Sequence, residues 1–111
     1  MIGSRDGLLS LYESGSVEKP EYEAGLMYRR CFETLSHSDT GFAELRTMRA
    51  EQLARWEALA GTGRQLWVLR LVAGQGRAVN SLGAGGAARL ANTKALVEVL
   101  RAIAMERGLR Q

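Results

Sequence analysis

Six side chains in the last third of this 111-residue sequence carry the types that contact nucleic acid: Arg77, Arg89, Asn92, Thr93, Lys94 and Arg101. Arginine and lysine pair with phosphates or a guanine edge, asparagine matches the adenine edge, and threonine reaches a phosphate or a thymine methyl. That chemistry is recognition. Arg89, Asn92, Thr93 and Lys94 come first in line for base contact, with Arg77 and Arg101 as backbone clamps, and double-stranded DNA is the expected partner.

Bond-making chemistry has far less to work with. The chain holds one histidine and one cysteine, so zinc spacing and a Cys/His nucleophile pair both lack members. His37 falls in a polar stretch and reads as a surface residue, and Cys31 reads as a buried, inert thiol. The run Gly83-Ala84-Gly85-Gly86-Ala87-Ala88 is not set between a strand and a helix as a dinucleotide fingerprint requires, and Gly74-Gln75-Gly76-Arg77 lacks the Gly-Lys-Ser/Thr ending of a phosphate loop. The expectation is a non-enzyme without metal or cofactor.

The elements that must position the six residues are helical throughout. Asp6 is placed to cap a helix running to Ser14, and Gly15 ends it. Pro20 opens a second helix to about Leu35, with Tyr22, Leu26, Tyr28, Cys31, Phe32 and Leu35 inward and Glu21, Arg29, Arg30 and Glu33 in water. After the polar break Ser36-His37-Ser38-Asp39, a third helix over 41–60 turns Phe42, Leu45, Met48, Leu53, Trp56 and Leu59 to the core. Thr62 caps a fourth helix carrying Leu66, Trp67, Leu69, Leu71 and Val72, and Gly74-Gln75-Gly76 closes it. Trp56 and Trp67 both read as core.

Next come two helical turns over 77–82, a sharp turn at Gly83 that uses a positive φ, and a last helix from about Gly86 to Arg107. Leu90, Leu96, Val97, Leu100, Ile103 and Ala104 form its inner stripe. Three glycines in the turn, each costing about 1 kcal/mol inside a helix, leave Asn92 as an alternative starting point. The fold class expected is all-α: five to six short helices in one bundle, ending in a helix-turn-helix.

Charge divides the single domain into two parts. Residues 1–60 carry seven cations against ten anions, and residues 61–111 carry eight against two, within a total of +3. The acidic part suits a protein partner and the basic part a polyanion. No apolar run approaches a membrane span and the N-terminus lacks the regions of a signal peptide, so a cytoplasmic location is expected. A lone cysteine fits a reducing compartment.

The spacing of Leu66 to Val72, Gly76, Ala78 to Gly83 and then Leu96, Leu100 and Ile103 resembles region four of bacterial sigma factors. With Pro20 to Glu33 (PEYEAGLMYRRCFE), the Ala60-Gly61 step and Leu100 to Leu109 (LRAIAMERGL), the chain is also similar to a small domain of phage-derived regulators in alphaproteobacteria, among them activators of gene transfer agents. The resemblance implies promoter binding by the last two helices and contact with RNA polymerase. Arg64, Arg77, Arg101 and Arg70 would then dock on phosphates. Two other readings compete: an adaptor that binds only protein, and a phage-type small terminase subunit that assembles into rings.

Overall fold

The computed structural model describes residues 6–36, 43–83 and 85–110, and among these the chain is all-α, with no strand. Five α-helices follow in order: α1 (Gly7–Glu13), α2 (Lys19–Ser36), α3 (Ala43–Glu57), α4 (Gly63–Val68) and α5 (Gly86–Glu106). A π-helical stretch, Leu69–Gly74, continues α4, and one 3-10 turn, Val79–Leu82, lies between it and α5. His37, Ser38, Asp39, Gly41 and Phe42, which carry most of the expected break and the start of the third helix, lie outside the described residues. No helix among the described residues is long and apolar enough to cross a membrane.

Local capping chemistry sets two of the helix starts. The Asp6 carboxylate accepts from the Leu9 amide at 3.0 Å and the Thr62 hydroxyl from the Gln65 amide at 3.1 Å, each satisfying a donor that the first turn leaves free. The core lies where α2, α4 and α5 meet. Leu8, Tyr28, Val68, Leu69, Val72, Leu96, Val99, Leu100 and Ile103 are fully buried there, and each such side chain stabilises the fold by about 1.5–3 kcal/mol. Tyr12 stacks on Tyr22 with ring centroids 4.4 Å apart and fastens α1 to α2.

Polar staples lock the layers together. Arg29 on α2 pairs with Asp6 at 2.7 Å and donates to the carbonyls of Ala73 and Val72, so it ties the start of α1 to the π-helical end of α4. Gly7 sits so close to the following loop that a Cβ there would lie 1.9 Å from the Arg77 carbonyl oxygen, and its amide donates to Gly76 at 3.0 Å. Only glycine fits.

On the other side, Arg110 curls back onto α2, bonding Glu21 through Nε at 2.5 Å and Nη2 at 2.9 Å and pairing with Glu18 as well. Glu21 is completely buried and Arg29 largely so, whereas the sequence pattern leaves both in water. A tail 89 residues away supplies the partner that makes burial of the Glu21 carboxylate tolerable.

Three further expectations change. The third helix buries only Trp56, whose indole N–H donates to Glu106 at 3.0 Å, while Leu45, Met48 and Leu59 are exposed. This helix meets α2 along one side, through Arg49 to Thr34 and Glu57 to Tyr28, and buries little of its own surface. The expected two-turn helix over 77–82 is a single 3-10 turn, because Ala78 is extended before it and Gly83 extended after it (φ 175°). The positive φ of the turn falls at Gly85 (φ 92°). Lastly, Trp67 is 43% exposed and does not join the core.

Candidate nucleic-acid interface

Gly85 serves as the N-cap of α5 without a side-chain bond, and the helix begins at Gly86. Arg89 therefore stands on the first turn of a helix. The three glycines do not delay the start to Asn92, since only Gly86 among them has to be helical.

With that register, the buried stripe of α5 is Asn92, Ala95, Leu96, Val99, Leu100, Ile103 and Ala104, spaced by threes and fours. Asn92 is 2% exposed and Leu90 is 71% exposed, an exchange of the positions expected for them. Two residues along a helix are about 200° around it, so burying one of this pair turns the other to solvent. The Asn92 side-chain oxygen accepts from Arg64 Nη1 at 2.8 Å. It is not presented to a base.

The other five expected residues reach the surface to different degrees. Arg77 is exposed, 3.5 Å from the Ser81 carbonyl, and the short connection between the Gly7–Gly76 bond and the 3-10 turn holds its backbone. Arg89, Lys94 and Arg101 are exposed, and Thr93 is half-buried. Lys94 and Arg101 lie two turns apart on one face, with Leu90 and Met105 continuing the same stripe. Arg89 points elsewhere, about 140° around the helix from Lys94.

The N-terminal half of α5 runs between two grooves. One, about 320 Å³, lies against α1 and the 3-10 turn and is lined by Ser10, Ser14, Asn80, Arg89, Leu90 and Thr93, among others. The second, about 450 Å³, lies against α4 and is lined by Gly63, Arg64, Trp67, Leu82, Ala88 and Asn92. Here α4 packs on α5: Gln65 bonds Glu98 at 3.2 Å, Arg64 bonds Asn92, and Trp67 and Ala88 line the groove between them.

Ion pairing separates the basic half into two groups. Cations that face the acidic half are engaged: Arg70 grips Glu57 through two bonds at 3.0 and 3.1 Å, and Arg110 holds Glu18 and Glu21. Burial alone raises the Glu57 carboxyl, but the Arg70 and Tyr28 hydrogen bonds and the Arg70 charge outweigh it and hold the group below the ordinary carboxylate range. Tyr28, donating to Glu57 at 2.7 Å, is pushed well up by burial and by that carboxylate. Arg70, expected to dock on phosphate, is thus already paired with a carboxylate. By contrast Arg64, Arg77, Arg89, Lys94, Arg101 and Arg107 form no ion pair among the described residues.

The charge of Arg64 was legible, but its anchor on Asn92 was not. Asn92 has the same i, i+4, i+7 relation to Leu96 and Val99 that marks an inward position, and this phase is the signal that could have found it. Cys31 is buried, and burial pushes its thiol up although Arg49, Arg30 and Arg107 act in the opposite direction. Among the described residues, no group of three His, Cys, Asp or Glu could hold a metal ion. No family model, curated protein or solved structure matches the chain.

Proposed function

We propose that this chain is a DNA-binding transcriptional regulator that docks double-stranded DNA on the N-terminal half of α5 and the turn before it. The carrying observation is the group of exposed cations without a carboxylate partner among the described residues: Arg64, Arg77, Arg89 and Lys94 around the N-terminal half of α5, and Arg101 two turns further along it. Such a cluster binds a phosphate backbone by releasing counterions. With Asn92 buried, affinity comes chiefly from phosphate contacts, and base reading is left to Arg89, Thr93 and Lys94.

By its resemblance to sigma region four, the protein acts in the cytoplasm at promoters of phage-like or gene transfer agent genes, and its acidic half contacts RNA polymerase. The lone 3-10 turn makes the approach to DNA a helix flanked by two grooves rather than a helix-turn-helix of ordinary proportions. Fluorescence anisotropy with a labelled duplex at low salt tests the reading. Wild type binds, and Arg89→Ala with Lys94→Ala reduces binding on the order of a hundredfold at unchanged helical content. Equal binding by the double variant rejects this face.

A second reading rests on Leu90 and Met105, 71% and 56% exposed on the stripe of Lys94 and Arg101. Apolar residues at either end of a cationic stripe also suit an acidic helix of a protein partner. An adaptor of that kind shows no duplex binding even at low salt.

A further inference from the structure

The Arg64–Asn92 bond joins an exposed guanidinium to an amide that is almost wholly buried. Arg64 stands at the mouth of the groove between α4 and α5, and Asn92 is fixed by the inner stripe of α5 one turn before Leu96. A surface arginine ordinarily samples many rotamers, and ordering it on a ligand opposes binding. Here Nη1 is already held at 2.8 Å by a group that packing prevents from moving. The Nε–Nη2 edge carries no carboxylate among the described residues. This edge is the fork that matches a phosphate with two parallel hydrogen bonds.

Position gives the fork its use. Arg89 lines the groove on the α1 side of α5 and Arg64 the groove on the α4 side, so the helix end is bracketed by cations. A helix lying in a major groove has a phosphate backbone on each flank. We propose that Asn92 is a positioning residue that preorganises Arg64 as a phosphodiester clamp on the α4 flank of α5. The inference rests on the DNA-binding reading above and deepens it, because Asn92, expected to read adenine, acts on the backbone through Arg64.

The test is a double-mutant cycle in duplex binding, with anisotropy followed through a KCl titration for wild type, Arg64→Ala, Asn92→Ala and the double variant, and melting curves alongside. Arg64→Ala lowers affinity on the order of tenfold and flattens the salt slope by about 0.9. Asn92→Ala lowers affinity about three- to tenfold, and the double variant binds no worse than Arg64→Ala, because without Arg64 there is nothing left to position. Arg64→Lys keeps most of the salt slope but not the coupling to Asn92, since a point charge lacks the fork.

If Asn92 serves the fold alone, its substitution lowers the melting temperature while its effect on binding adds independently to that of Arg64, and the proposal is overturned. Wild-type binding that Arg64→Ala leaves unchanged overturns the clamp and spares the DNA-binding reading. Absence of wild-type binding at low salt overturns both.

Discussion

α3 and α5 carry apolar residues at similar three- and four-residue steps, yet they occupy the fold in opposite ways. Of the 15 residues of α3 only Trp56 is buried, and Met48 is 66% exposed; the 21-residue α5 buries seven positions and leaves a charged stripe outside. The difference lies in what surrounds them. α5 is enclosed by α2, α4 and the 3-10 turn, whereas α3 has α2 alone along most of its length. Periodicity therefore names the face a helix would bury, and the number of neighbours decides whether that face is buried.

The largest effects should come from α5. Ile103→Ala and Leu100→Ala each remove a fully buried side chain, and each is expected to cost about 2–5 kcal/mol in urea unfolding, with the cavity left behind adding to the lost transfer energy. A cost under about 1 kcal/mol would show that α5 is less enclosed than described.

Next comes Arg110→Ala, which strips the buried Glu21 of its partner and should lower the melting temperature clearly more than Arg55→Ala. Arg55 is well exposed and sits 3.8 Å from Glu106. Equal effects would mean that the tail does not hold the start of α2.

The junction of α3 with α2 and α4 can be read by pH. Since the Glu57 carboxyl is depressed in the fold, its contribution is present above the ordinary value of 4.5 and is lost as pH falls through the folded value. Tyr28 is raised, so its contribution is present below 10.0 and is lost as pH climbs above it. Urea midpoints should therefore decline below about pH 4.5 and above about pH 10 in wild type. Glu57→Gln should flatten the acid decline, and an unaltered decline would remove Glu57 as its source. The smallest effect is expected on the exposed side of α3: Met48→Ala should change stability by no more than about 0.5 kcal/mol.

What could be read from the sequence was mostly local. Asp6 and Thr62 announce their helices because a cap bonds an amide three residues on, and Pro20 with Glu21 marks the first turn of α2 to within a residue or so. The start of α5 at Gly86 was one of two choices, settled by Gly85 accepting a positive φ. Long-range partners left no local trace. Arg110 reaching Glu21, Arg29 reaching the end of α4, and Arg70 reaching Glu57 all join separate elements, and they decide which charges remain available.

For the candidate site, the residue types were readable and their directions only in part. Arg77, Arg89, Lys94 and Arg101 are exposed as expected, while Asn92 and Leu90 exchange faces because the apolar stripe is broad enough to permit more than one phase.

On the proposed reading, the cations around α5 without a carboxylate partner among the described residues form the DNA face and the paired ones do not. Its most direct test compares log affinity with log salt for three chains: wild type, a variant with Arg89, Lys94 and Arg101 changed to Gln, and a variant with Arg55 and Arg70 changed to Gln. A slope shallower by roughly 2 to 3 is expected for the first variant and an unchanged slope for the second. A shift in the second variant equal to that in the first would contradict it.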